Sequence, residues 1–331
     1  MRSSRLEMAL DSGAFILPPS GDIAVYRPRL GDELQMLPKD RVAVLTGFKP
    51  DHDHFAAQGF RMAAGASAAA IVCLPRAKAD ALALLSEAMG NTAPGGPVLV
   101  DGQKTDGVDA LLKLCRSVGL RTGEVLSKAH GKAFALRAGP VPADWAAIPR
   151  QIEGGFTTWP GVFSADGIDR GSALLAAALP AKLHGRVADL GAGWGFLTRA
   201  ILLRDAVKSV DIVEAEAAAL DCARLNVTDP RAQFHWADAT TFKPALPWDH
   251  VVMNPPFHTS RAADPGLGLA FVQAAQRNML AGGTLWLVAN RHLPYDRMLT
   301  GLFRDVEEIG GDVAFRVTRA AVPLRVRPGK I

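Results

Sequence analysis

The chain has 331 residues, 49% of them hydrophobic, and 37 Lys and Arg against 33 Asp and Glu give a formal net charge of +4. That length serves two domains, each with a sizeable core, and so mild a basic excess permits an RNA partner without arguing for one. Three scattered cysteines, Cys73, Cys115 and Cys222, form no Cys-x-x-Cys pair, which excludes a disulfide framework and a zinc site and fits a reducing cytosol.

Met1-Arg2-Ser3-Ser4-Arg5 leads into mixed residues rather than an apolar run, so a cytoplasmic protein is expected. Asp51-His52-Asp53-His54 has the residue types of a metal site but no partner cluster. It is expected to lie in a loop before a helical stretch, as caps or solvated charges, and no metal is predicted. The small-apolar stretch from Ala63 to Leu74 is too short and too rich in Ala and Gly to cross a bilayer. Its end, Ala70 to Leu74, predicts a strand leading to Pro75. A helical segment over Ala79 to Met89, a Pro94-Gly95-Gly96 turn and a strand at Val98 to Val100 follow.

The Pro- and Gly-rich stretch from Gly139 to Gly161 is the best domain boundary, dividing the chain into 1–148 and 149–331. Beyond it, Arg186 to Leu190 reads as a buried parallel strand that runs into Gly191, Gly193 and Gly195, with a helix from about Phe196. A dinucleotide fingerprint needs a third glycine where Phe196 stands, so a pyrophosphate-binding loop is the poorer match. Asp-x-Gly-x-Gly-x-Gly suits S-adenosylmethionine, with Asp189 near the methionine end, directly or through water. Glycines let the backbone approach such a ligand closely and adopt positive φ. The next strand, Val207 to Glu214, ends in an acid that can accept from both ribose hydroxyls. Phe234 to Ala239 ends a third strand, where Asp238, with Ala239 beside it, can accept from the adenine amine.

The apolar run to Met253 then delivers Asn254-Pro255-Pro256-Phe257. The exocyclic amine of guanine or adenine is a poor nucleophile because its lone pair is delocalised into the ring. Two acceptors, the Asn254 side-chain oxygen and the Pro255 carbonyl, can hold its two N–H groups and turn the lone pair outward. The prolines lack N–H groups and stiffen the turn. Phe257 can stack on the base. A base inside structured nucleic acid must be exposed or swung out to reach such a loop. His258 and Arg261 follow and are candidate contacts to a phosphate or base edge. Arg291 is another, in the loop after the strand Thr284 to Val288. Alternating basic residues from Arg316 to Arg327 are expected on a solvated strand face, with an RNA contact as the alternative.

The two halves share one pattern. His250 to Met253, a proline turn, a helical segment, Ala281-Gly282-Gly283 and Thr284 to Val288 repeat the order seen from Ala70 to Val100. This predicts an internal duplication. The first half lacks the glycine loop and has Cys73-Leu74 before its proline, so it is expected to bind no cofactor and to pack or hold substrate instead. The predicted fold is α/β, with two tandem Rossmann-like methyltransferase domains of which the N-terminal one is degenerate.

The second half, over roughly residues 159 to 320, resembles the ribosomal RNA guanine-N2 methyltransferase family, in its small-subunit (RsmC-type) branch. The resemblance rests on Pro160-Gly161-Val162-Phe163-Ser164, Asp166-Gly167-Ile168-Asp169, the glycine loop, Asn254 to His258 and Val288 to Tyr295. It implies a class I methyltransferase with S-adenosylmethionine as cofactor, Phe163 helping to enclose cofactor or base, and ribosomal RNA or an assembled subunit as partner. No membrane is implied, and a monomer is favoured over an oligomer. The large-subunit sister family shares Asn-Arg-His-Leu at residues 290–293, so 23S rRNA is the alternative substrate. Adenine-N6 and glutamine-N5 methyltransferases more often have Tyr at the Phe257 position. A non-catalytic RNA-binding protein on this scaffold predicts eroded glycines or Asn, and all are intact. A nicotinamide oxidoreductase conflicts with Phe196 and the Asn-Pro-Pro loop.

Overall fold

The computed structural model describes residues 3–63, 65–256 and 265–324. Two units divide it: one runs to Pro149 and includes Trp159–Gly161, the other comprises Arg150–Thr158 and the chain from Val162 onward.

The first unit contains α1 (Ser3–Asp11), β1 (Ile23–Tyr26), β2 (Val42–Leu45), α2 (Lys49–Ala57), β3 (Ala69–Cys73), α3 (Lys78–Asn91), β4 (Pro97–Gln103), α4 (Val108–Ser117), β5 (Val125–Lys128) and β6 (Gly131–Arg137). Its six strands lie in the order β2-β1-β3-β4-β6-β5. The first four are parallel, and β6 runs antiparallel to β4 and β5.

In the second unit a hairpin of β7 (Arg150–Ile152) and β8 (Phe156–Thr158) comes first. Then follow α5 (Arg170–Ala178), β9 (Gly185–Leu190), α6 (Phe196–Leu202), β10 (Val207–Glu214), α7 (Ala217–Asn226), β11 (Ala232–Trp236) and β12 (Trp248–Met253). The unit closes with α8 (Pro265–Asn278), β13 (Met279–Asn290), α9 (Tyr295–Leu302), β14 (Phe303–Gly311) and β15 (Phe315–Pro323). The sheet order is β11-β10-β9-β12-β13-β15-β14. Its chain order reverses beside β9, the position where open α/β sheets bind ligands at their strand C-termini.

Removing β11 turns the second sheet into the first, strand for strand and with the same pairing senses. The registers extend the match to single residues. Tyr26 lies level with Leu45 and Val72, as Leu190 lies level with Val213 and, one residue beyond the Asp189–Val252 pair, with Met253. Gly191 donates its N–H to Val213 O at 2.9 Å, and Arg27 donates to Leu45 O at 2.7 Å. Arg27 even keeps a left-handed φ of 51°, against 71° at Gly191. On this superposition Arg27 replaces Gly191, Thr46 replaces Glu214 and Cys73 replaces Asn254. The fold is a duplicated α/β pair whose N-terminal copy has lost the ligand-binding residue types.

Central strands are covered on both faces, so alternate residues feed two apolar clusters in each unit. Val251, Met253, Leu285 and Leu287 pack on one face of the second sheet; Val187, Val252, Trp286 and Val288 pack on the other. The expected turn at Ala281-Gly282-Gly283 is instead part of β13. Trp248 faces Met279 and His250 faces Thr284, so the extra residues are taken up as a bulge. A side chain at Gly283 would meet Met279 Cβ at 2.9 Å, which is why glycine stands there. Asp51 to His54 lie within α2, not before it, because Pro50 in the first turn starts that helix early. Among the described residues, no group of His, Cys, Asp or Glu is arranged to hold a metal, and no helix is long and apolar enough to cross a membrane.

Candidate active site

At the C-terminal ends of β9 and β12 the second unit forms an open cleft of about 370 Å³, counted with the solvent space at its mouth. Its walls include Gly193 and Trp194 from the loop after β9, Asn254 from the loop after β12, Asp169 and Ser172 from the start of α5, and Phe163.

All three loop glycines have positive φ: 71° at Gly191, 56° at Gly193 and 90° at Gly195. Their surroundings separate their roles. A Cβ at Gly195 would meet Val227 Cγ2 at 3.0 Å and Ala223 Cβ at 3.4 Å, so this glycine lets α6 begin against α7. At Gly193 nothing lies within 4 Å, so the loop presents bare backbone to the open cleft. Gly193 donates its N–H to Glu214 Oε2 at 2.8 Å, and Glu216 donates to Glu214 Oε1 at 2.8 Å. A carboxylate has about four acceptor sites, so these bonds leave it acceptor capacity for a ligand. Burial raises the Glu214 pKa, and the backbone N–H groups of Glu216, Gly193 and Ala215 oppose that rise.

Asp189 is fully buried beneath the loop, where its Oδ2 accepts from Thr198 Oγ1 at 2.6 Å. Its Oδ1 has no hydrogen-bond partner among the described residues. Burial pushes its pKa up to about 7, countered by the Thr198 bond and reinforced by the Glu214 charge. At the next strand end, Asp238 Oδ1 accepts from both the N–H and the hydroxyl of Thr240, at 2.8 and 2.7 Å. Ala239 packs its side chain into the apolar core, which leaves only its backbone to offer a ligand.

Asn254 donates from Nδ2 to Asp169 Oδ2 at 2.9 Å and to Ser172 Oγ at 2.9 Å. The same Asp169 oxygen caps α5 by accepting from the Ser172 N–H at 2.7 Å. Pro255 is buried and Pro256 exposed. Phe257, His258 and Arg261 lie outside the described residues, as do Arg325 and Arg327 of the basic run.

The segment before α5 is tied to the glycine loop. Trp194 donates its indole N–H to the Phe163 carbonyl at 2.9 Å and meets Phe156 edge-on at 4.8 Å between centroids. Asn226 brackets the Trp194 carbonyl and both backbone groups of Thr157. Held this way, the Phe163 side chain stays 62% exposed at the cleft wall. An aromatic that open in a built cleft is placed to touch a ligand.

Arg291 does not line this cleft. It grips Glu308 at 2.6 Å and the Asp312 carbonyl at 2.6 Å, bracing β13 against β14. That ion pair is announced by no spacing along the chain, and it leaves the guanidinium partly exposed. Arg316 is likewise paired, with Asp296 and Glu308, on a strand flanked on both sides. Asp169, Ser172, Trp194 and Asn226 were not singled out from sequence as site residues. The signal available was an Asp-x-x-Ser helix start near the glycine loop.

The residues present fit S-adenosylmethionine. An open backbone cradle at Gly193, an acid at the end of the adjacent strand and an orphaned buried carboxylate oxygen meet in one place.

Comparison with known proteins agrees. Residues 153–319, just over half the chain, match the methyltransferase small domain family. The ribosomal RNA small subunit methyltransferase C of Psychromonas ingrahamii is 30% identical over 247 residues, covering 72% of this chain and 71% of its own. A ribosomal RNA large subunit methyltransferase G from Ectopseudomonas mendocina is 35% identical over 165 residues, but that covers 48% of this chain and 44% of its own. Among solved structures, the T. Thermophilus 16S rRNA N2 G1207 methyltransferase (RsmC), in complex with AdoMet and guanosine, matches with a TM-score of 0.77 and 28% identity. That match covers 92% of this chain and 89% of the other. The chain is therefore a methyltransferase that belongs to the methyltransferase small domain family, in the branch of ribosomal RNA small subunit methyltransferase C.

Proposed function

We propose that this protein methylates the exocyclic N2 of a guanine in 16S ribosomal RNA, using S-adenosylmethionine, in the cleft of its second unit. The observation that carries the reading is the shared cleft. The glycine loop at Gly193 and the amide of Asn254 line one cavity, and the solved relative of the same two-unit fold is in complex with AdoMet and guanosine.

In this reading Gly191, Gly193 and Glu214 hold the cofactor, and Asp238 and Ala239 border its base. Asp189 supports the loop from beneath. S-adenosylmethionine supplies an electrophilic methyl group when bound. The protein holds the amine: Asn254 Oδ1 and the Pro255 carbonyl accept its two N–H groups and fix the direction of its lone pair. Such positioning, with acceptors fixed before reaction, is the main source of rate here. Phe163 packs against the ligand at the open side. The first unit, with Arg27, Thr46 and Cys73 at the corresponding strand ends, serves as scaffold or substrate holder. The substrate is RNA in the cytoplasm, as an assembled small subunit or as bare 16S rRNA.

The small-subunit reading is favoured over the large-subunit one because small-subunit relatives match over 72% and 81% of this chain, whereas the large-subunit relative matches over 48% of it. The test is transfer of labelled methyl to unmodified small subunits, large subunits and bare rRNA, followed by nucleoside digestion. Label in N2-methylguanosine from 16S rRNA is the expected result. Label in 23S rRNA, or in no RNA at all, would overturn the substrate assignment.

A further inference from the structure

We propose that Asp169 and Ser172 are positioning residues that lock the Asn254 side chain in its acceptor orientation. The inference rests on the methyl-transfer reading above and deepens it.

A carboxamide looks nearly the same both ways round, yet only its oxygen can accept from an amine. Asn254 has two N–H donors on Nδ2. One donates to Asp169 Oδ2 and the other group within reach is Ser172 Oγ, each at 2.9 Å. With the nitrogen held toward the start of α5, the planar amide turns Oδ1 the opposite way. Reversing it would set Oδ1 against a carboxylate oxygen and break a charge-assisted bond, the stronger class of hydrogen bond. The Ser172 hydroxyl can accept or donate, so Asp169 sets the polarity of the amide and Ser172 helps to hold its position. The lock is itself fixed. Asp169 Oδ2 also accepts from the Ser172 N–H at 2.7 Å, so the helix cap sets where that oxygen stands. All three side chains line the same cleft. One oxygen therefore serves both the start of α5 and the reactive loop after β12, 85 residues away in sequence.

The lock also gives a reason for Asn at position 254. An Asp there would bring a second carboxylate to hydrogen-bonding distance of Asp169, and two like charges that close resist joint ionisation.

The test uses the full chain and the RNA product that wild type makes. Asp169→Ser keeps a good helix cap but is too short to reach Asn254. Turnover is expected to fall at least 10-fold, with cofactor affinity within about twofold of wild type and little change in melting temperature. Asp169→Asn keeps an oxygen at the Oδ2 position and is expected to restore turnover to within a few-fold of wild type. Ser172→Ala, which leaves the Asp169 cap in place, is expected to lower turnover about three- to tenfold. A purely structural role would instead move stability and turnover together, with Asp169→Ser as benign as any good cap. Wild-type turnover in Asp169→Ser overturns the proposal, and so does a loss that Asp169→Asn fails to repair. Should Asp169→Ser not fold, wild-type turnover in Ser172→Ala overturns it. If wild type itself labels a product other than N2-methylguanosine, the function reading fails while the lock is still scored on that product.

Discussion

Gly193 and Glu214, at the ends of neighbouring strands, are joined by a 2.8 Å bond from backbone N–H to carboxylate. With Glu216 N–H on the other oxygen, the acid holds the glycine loop to the start of the chain segment leading into α7. Glu214→Gln leaves one acceptor oxygen for two backbone donors and turns an NH2 group toward one of them. An unpaired buried donor costs about 1–3 kcal/mol. S-adenosylmethionine affinity should fall between about 5- and 100-fold by calorimetry. Unchanged affinity would show that the acid shapes the loop only.

The glycines of the loop should separate in two assays. Gly195→Ala forces a Cβ to 3.0 Å from Val227 in a residue whose φ is 90°. Strain and overpacking together should lower stability by about 2–4 kcal/mol. Gly193→Asp has room for its side chain, so it should cost the fold only the positive-φ strain of about 1–2 kcal/mol. It should block cofactor binding all the same, because its carboxylate enters the cleft. Melting curves and binding isotherms on both variants check this; a Gly193→Asp protein that binds normally contradicts the cradle.

Asn254→Ala removes the acceptor and should reduce methyl transfer at least 100-fold while cofactor affinity stays near wild type. Asn254→Asp keeps an acceptor oxygen but should be less stable, since its carboxylate faces that of Asp169. Adding Asp169→Asn should recover stability in a double-mutant cycle, because one repelling charge is gone. Additive melting shifts in that cycle would mean the two side chains do not interact.

Much of the fold could be read from the chain because its central strands are buried on both faces and therefore written as apolar runs. Val251 and Val252 pack into different clusters, yet both must be apolar. The repeat was readable for the same reason, through Ala70 to Leu74 and His250 to Met253. Gly193, Asn254 and Phe163 were each marked in sequence, and the structure brings all three to one cleft. What stayed hidden was pairing at long range. Nothing near Asp169 tells that its oxygen reaches Asn254, and nothing near Trp194 tells that its indole holds the Phe163 carbonyl. The Arg291–Glu308 pair is hidden in the same way, because Glu308 lies on another strand. The Gly282-Gly283 pair reads as a turn locally, but the neighbouring strand turns it into a bulge.

Asp189 should give the protein a measurable pH dependence. Burial holds its folded pKa at about 7, whereas an unfolded carboxyl titrates near about 3.9. Between those values the folded state binds a proton that the unfolded state has released. Stability therefore declines as pH rises through this window, by up to about 1.4 kcal/mol per unit, and levels off above the folded pKa. Asp189→Asn mimics the protonated form and still offers Thr198 an acceptor, so it carries no such penalty. The stability difference should then favour the variant by a growing margin from pH 5 to pH 7, as followed by urea denaturation. A margin that is constant across this range would mean that Asp189 is already ionised in the folded protein at pH 5, with its Oδ1 satisfied by solvent.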